Sequence, residues 1–233
     1  AGAVLDLKSG AVTLPGNAAP FSPKPFVVPS AKIMLDGGAT PAIWCAAGGS
    51  LRTLVDSLSA ADTVAILGSP SAWQSAQSVD SFLTLRATPH RTLLLSEETN
   101  DDAVLAASLA RSSAVIVAGL RADSIARHLS GTVGNVFRLS ANAGTPFCFL
   151  GNDAVLAADS GVGNLVADDY AAYHGVMTAL SGTGLLNGIS VMPRLYEASA
   201  IIDNRASALF WCMARSSHRF GLLLDVNTVA TIS

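Results

Sequence analysis

Phe147-Cys148-Phe149-Leu150-Gly151-Asn152-Asp153-Ala154-Val155 is the stretch on which the fold reading turns: four apolar residues running into a glycine and a tight turn. A short continuous apolar run bounded by glycine reads as a strand buried on both faces, and the turn after it places Asp153 at the strand's end. Three later segments are weighed with it. They are Gly184-Leu185-Leu186-Asn187-Gly188-Ile189-Ser190-Val191, Asn204-Arg205-Ala206-Ser207-Ala208-Leu209, and Gly221-Leu222-Leu223-Leu224-Asp225-Val226-Asn227-Thr228-Val229-Ala230.

Upstream of Phe147 the pattern alternates strand and helix. Ala42–Ala47 is an apolar run ending in Gly48-Gly49, followed by Ser50 as a helix cap and an amphipathic stretch to Leu58. Thr63–Leu67, Thr92–Leu95 and Ala114–Ala118 read as further strands, and Ser75–Leu85 and Ser124–Leu129 as helices. Another helix is expected from Thr99-Asn100, with Asp101 and Asp102 in its first turn, where the helix dipole favours acids. Short apolar strands separated by helices imply parallel pairing through right-handed crossovers, hence an α/β fold: a three-layer sandwich around a mostly parallel, flavodoxin-like sheet. Beyond Gly151 the expectation is a strand at Asn164–Ala167, helices at Asp169–Leu180 and Asn204–Arg215, and a C-terminal hairpin of Leu222–Asp225 with Val229–Ile232.

Residues 1–40 differ. Six of the ten prolines fall between Pro15 and Pro41, and proline fixes φ and removes a ladder donor, so this segment reads as an extended arm preceding an α/β domain over 41–233. Within it, Val4–Leu7 and Val12–Leu14 can pair around Lys8-Ser9-Gly10.

Composition narrows the function. The chain has 233 residues, 50% of them hydrophobic and 13% charged, enough to bury a substantial core. A net charge of −3 argues against a general nucleic-acid binder, which needs a cationic surface. No apolar run approaches the roughly 20 residues of a membrane span, and no signal peptide is visible, which slightly favours the cytoplasm. A start at Ala1 fits a processed chain or a piece of a longer one. Cys45, Cys148 and Cys212 form no C-x-x-C pair and read as free thiols. His90, His128, His174 and His218 are scattered, so neither a metal nor a cofactor is expected.

The Gly184–Val191, Asn204–Leu209 and Gly221–Ala230 segments, the Gly48-Gly49 pair, Val117-Ala118-Gly119 leading to Gly131-Thr132, and the Phe147–Gly151 strand together resemble the cyanophycinase and aspartyl-dipeptidase family of serine hydrolases, over residues 41–233. The resemblance implies a class I glutamine-amidotransferase-like fold with a nucleophile elbow. Its turn Gly-Thr-Ser-Ala-Gly is matched by Gly151-Asn152-Asp153-Ala154-Val155, so Asp153 stands where the family has serine, with Gly119, Gly151 and Ala154 around the elbow and oxyanion site. The family's histidine, shortly after Gly-Leu-Leu-Pro-Gly, falls nearest Arg194 in Met192-Pro193-Arg194-Leu195, and Leu120-Arg121-Ala122-Asp123 replaces a glutamine often found after the glycine of the fourth strand. Joint loss of nucleophile and base implies abandoned serine chemistry and a binding or assembly module, whose partners would be a second copy, neighbouring domains of a longer chain, or a peptide.

Other readings stay open at this stage. Asp153 could itself be the nucleophile of a rewired peptide or amide hydrolase, which would still need a base to activate water. Ser160 in Asp159-Ser160-Gly161 and His174 in Tyr173-His174-Gly175 are the remaining candidates; their plainer readings are a glycine-rich loop and a polar helix face. Asp153 and Arg194 could pair across the old site. Gly48-Gly49-Ser50 could hold an anion, a tight turn with a helix cap being the simpler account.

Overall fold

The computed structural model describes residues 4–5, 12–13, 23–38, 44–46, 48–120, 128–163, 171–193, 205–226 and 228–233. Its strands, in chain order, are β1 (Val4–Leu5), β2 (Val12–Thr13), β3 (Ile33–Asp36), β4 (Val64–Gly68), β5 (His90–Leu94), β6 (Ala114–Val117), β7 (Phe147–Leu150), β8 (Ala158–Val162), β9 (Ala179–Ser181), β10 (Leu186–Met192), β11 (Phe220–Leu223) and β12 (Val229–Ile232). β1 and β2 pair antiparallel, as expected of that hairpin. The main sheet has the order β12-β3-β7-β6-β4-β5, with only β12 antiparallel to its neighbour. A second sheet has the order β11-β10-β8-β9.

Period-two alternation sorts the main sheet's side chains to its two faces. Met34, Val64, Ile66, Ala114, Ile116, Cys148 and Leu150 lie in one apolar cluster with Leu51, Leu54, Ala76, Val79 and Leu83. The last five come from the Ser50–Asp56 and Trp73–Leu85 helices. Ile33, Leu35, Ala65, Leu67, Val115, Val117, Phe147 and Phe149 lie in another. There they meet Leu109 and Phe137, from the Ala103–Ala110 and Thr132–Asn142 helices, and Leu186 and Val191 of the second sheet. A parallel sheet covered on both faces needs apolar residues at consecutive positions, which is why its strands read as unbroken apolar runs. The α/β sandwich expected from the sequence is thereby observed. A third, smaller cluster joins the second sheet to the Arg205–Ser216 helix through Val162, Met192, Ala208, Leu209 and Cys212.

Several elements differ from expectation. The first strand of the main sheet is Ile33–Asp36, inside the segment read as an arm; Trp44 and Cys45, expected in a strand, are helical. A glycine pair follows both runs, and the earlier one carries the strand. Its last residue, buried Asp36, holds the following loop by accepting from Gly38 N at 2.7 Å, Ser50 N at 3.3 Å and Ser50 Oγ at 2.6 Å. The glycine-turn reading of Gly48-Gly49 holds, while Ser50, one residue inside its helix, turns its hydroxyl on Asp36 instead of capping.

The two C-terminal strands do not form a hairpin. β11 extends the second sheet beside β10, whereas β12 crosses to the main sheet and pairs with β3. Asp101 and Asp102 divide their work. Asp102 caps its own helix by accepting from Val104 N and Leu105 N, and Asp101 caps the Thr132–Asn142 helix across space, accepting from Thr132 N and Oγ1 at 2.9 and 3.0 Å. That second helix has no counterpart in the sequence reading. Its buried face, Val133, Gly134, Phe137, Ser140 and Ala141, mixes apolar with small and polar residues, while the apolar Leu139 is exposed. In the region expected to be helical to Leu180, the described helix ends at His174; Gly175, at φ +69°, breaks it, and β9 follows. Residues 124–127 and 164–167, expected in a helix and a strand, lie outside the described residues.

Candidate functional site

β4 leads to β5 on one side of the main sheet and β6 leads to β7 on the other, so the strand order reverses between β4 and β6. In open α/β sheets ligands bind in the crevice this reversal opens at the strands' carboxyl ends. Ser69 follows β4 there, and Gly119 follows β6. The Gly119 carbonyl accepts from Ser69 N at 3.0 Å and from Ser69 Oγ at 2.8 Å. Because C=O and N–H point opposite ways across a planar trans peptide, this anchorage turns the Leu120 N–H away from Ser69. Gly119 has φ +85°, and a Cβ on it would sit 2.4 Å from the Ala72 carbonyl oxygen, so only glycine fits.

The elbow meets this corner from β7. Gly151 opens a 3-10 turn, Gly151–Ala157, at φ +59°, and the turn carries Asp153 into the interior, 7% exposed, beside fully buried Ala154. One carboxylate oxygen, Asp153 Oδ2, accepts both free backbone donors: Gly119 N–H and, at 3.2 Å, Leu120 N–H. Burial raises the carboxyl's pKa to about 6, and the two N–H bonds hold it below where burial alone would put it. These are the kind of donors that hold an oxyanion in a serine hydrolase. Here a side chain of the same protein occupies them.

The expected site residues thus divide. Gly119, Gly151, Asp153 and Ala154 come together. Ser160 does not join them: it lies in β8, not in a loop, and its hydroxyl donates to Ser216 Oγ at 2.6 Å. His174 closes a short helix and is exposed. Arg194 lies outside the described residues, so a pair with Asp153 cannot be placed. Among the described residues both hydrogen bonds of Asp153 go to backbone N–H groups, and no group of three or more His, Cys, Asp or Glu side chains could hold a metal. The cysteines are free, Cys148 and Cys212 buried and Cys45 partly so. Burial pushes the Cys148 thiol up to about 12, which makes it inert.

A second polar cluster escaped the sequence reading. Ser190 Oγ of β10 lies 2.8 Å from His218 Nδ1, and His218 Nε2 lies 2.9 Å from Asp159 Oδ1 of β8. Serine, histidine and aspartate are the parts of a hydrolytic triad, but Ser190 and His218 are each 1% exposed, so a substrate carbonyl cannot reach them. The three residues sit far apart in the chain in no shared motif, and only the pairing of the second sheet brings them together.

No protein-family model matches this chain, and no curated protein matches it by sequence. Among solved structures it is similar to a peptidase from an acI-B1 Actinobacterium, with 10% identity and TM-score 0.65 over 86% of this chain and 82% of that one. It is also similar to a peptidase E-like protein from Listeria monocytogenes EGD-e, with 12% identity and TM-score 0.57 over 86% of this chain and 97% of that one. At such identities the likeness is one of fold: the chain has the mostly parallel α/β architecture on which these peptidases are built.

Proposed function

We propose that this is a cyanophycinase-like domain that has lost serine-peptidase activity and acts as a binding or assembly module. The observation that carries the reading is the occupation of the Gly119 and Leu120 N–H groups by the Asp153 carboxylate. A hydrolase leaves such donors open for the oxygen that becomes negative in the transition state. Here they already hold an anion, and a carbonyl arriving at the elbow would have to displace it. The partner would be a peptide, a second copy or a neighbouring domain.

One observation favours a second reading, a peptide or amide hydrolase with Asp153 as nucleophile. Asp153 Oδ1 has no hydrogen-bond partner among the described residues and is not fully enclosed, so it is free to attack a carbon centre. Against it stands the base: no histidine among the described residues bonds to Asp153.

The test is release of amino acids from cyanophycin and β-aspartyl dipeptides by the wild type and by Asp153→Ala. No release above the buffer blank supports the module. Release that disappears in Asp153→Ala establishes the hydrolase instead, and release that survives the substitution places a nucleophile elsewhere and sinks both readings of the elbow.

A further inference from the structure

The buried histidine of the second sheet is tied to the N-terminal segment. Lys24 N donates to the Ser217 carbonyl at 2.7 Å, and Lys24 bridges His218 in parallel. Val27 N donates to the Asn187 carbonyl at 3.2 Å. Between these points the segment lies directly on β10: Gly188 has φ +83°, and a Cβ there would be 2.2 Å from the Pro25 carbonyl oxygen. Lys24 Nζ reaches Asp159 Oδ2 at 3.5 Å. One carboxylate therefore faces two groups, the lysine of the strap and the imidazole beneath it. Lys24 is half exposed, Asp159 21% exposed and His218 enclosed.

We propose that residues 23–28 form a pH-sensitive strap, fastened through Lys24 to Asp159 and loosened when His218 takes up a proton.

The surroundings of His218 accommodate both protonation states. With neutral imidazole, Ser190 O–H donates to Nδ1, and Nε2 lies 2.9 Å from Asp159 Oδ1 without hydrogen-bond geometry, which leaves both of those buried atoms without a hydrogen-bond partner. On protonation, Nδ1–H donates to Ser190 Oγ, and the hydroxyl hydrogen turns to Cys212 Sγ, 3.5 Å away. No donor is left facing a donor. Among the described residues, the titratable and charged groups in contact with the imidazole are Asp159 on β8, with Lys24 of the strap on the same carboxylate, and, through Ser190, Cys212 on the Arg205–Ser216 helix; Arg219 follows His218 in the chain. Proton uptake takes the Lys24–Asp159–His218 cluster from neutral to a net single positive charge. The solvent-facing cation, Lys24, is the one that can leave. By linkage, if Lys24 at Asp159 disfavours the imidazolium, the imidazolium disfavours Lys24 there by the same factor. Two like charges flanking one carboxylate near a surface change such an equilibrium by roughly three- to tenfold.

The test is amide hydrogen exchange at Lys24 N–H and Val27 N–H, as protection relative to the intrinsic rate at each pH. In the wild type, protection falls roughly three- to tenfold from pH 7.5 to pH 5.5, while amides of the main-sheet core do not change. Lys24→Gln, at a half-exposed position that leaves the core intact, has weaker protection with no difference between the two pH values. His218→Gln, if it folds, keeps high protection at both. Equal wild-type protection at the two pH values, or a pH effect that survives Lys24→Gln, overturns the proposal.

Discussion

The two sheets each hold groups of the kinds a hydrolytic site uses, arranged in opposite ways. At the end of the main sheet there is an elbow, a crevice and a pair of backbone donors, but the side chain at the turn is Asp153 and it fills the donors itself. In the second sheet His218 stands within hydrogen-bond distance of both Ser190 and Asp159, but Ser190 and His218 are enclosed and out of reach of a substrate. The difference teaches that residue types do not make an active site. Catalysis needs a nucleophile, a base and an empty oxyanion site around one reachable point, and among the described residues neither sheet presents all three.

The comparison can be broken or sharpened by substitution. The largest effect is expected at Gly119, where alanine would collide with the Ala72 carbonyl at an unfavourable φ. Gly119→Ala should lower stability by about 3 to 5 kcal/mol in urea unfolding, because it strikes the backbone that carries the donors. His218→Ala should cost about 2 to 4 kcal/mol by leaving Ser190 without its imidazole partner and Asp159 with only Lys24. A catalytic histidine that served no structural purpose would show little loss.

Asp153→Asn should act in the opposite direction. The wild-type carboxyl titrates at about 6 in the folded protein, above its ordinary value of 3.8. Folding therefore favours the protonated form. Asp153 destabilises little below pH 4, and its penalty grows as pH rises through 6, to about 3 kcal/mol at pH 7.5. Asparagine keeps an acceptor for the two N–H groups without the charge, so the variant should be more stable than the wild type at pH 7.5 and nearly equal to it at pH 4, by urea midpoints at both. Ser160→Ala, which removes a partly buried bond to Ser216 and a long contact with Cys212 Sγ, should cost only about 1 kcal/mol.

Much of the main sheet was legible because a strand buried on both faces must be apolar throughout, so 64–68, 114–117 and 147–150 stand out. The first strand was misplaced because Ile33-Met34-Leu35-Asp36 lies among prolines and ends in a carboxylate, while the competing Ala42–Ala47 run is more uniformly apolar. Asp36 is tolerated in the core because Gly38 and Ser50 satisfy it, which local pattern does not reveal. The C-terminal strands read as a hairpin because each is apolar and a turn separates them; which sheet each joins is decided by the free edges of β3 and β10. At the elbow, the resemblance of Gly151–Val155 and Val117–Gly119 to the cyanophycinase family's segments singled out Asp153 with Gly119. The Ser190–His218–Asp159 cluster carries no local signal, because a contact made by sheet register has no fixed spacing in sequence.

The most direct measurement follows the Gly119 and Leu120 amide resonances from pH 4 to pH 8 in the wild type and in Asp153→Asn. If the carboxylate occupies both N–H groups, the two resonances shift together with a midpoint near 6 and lose that titration in the variant. Amides that ignore pH over this range, or titrate equally in Asp153→Asn, would mean that the donors are not held by Asp153 and that the elbow is open for chemistry.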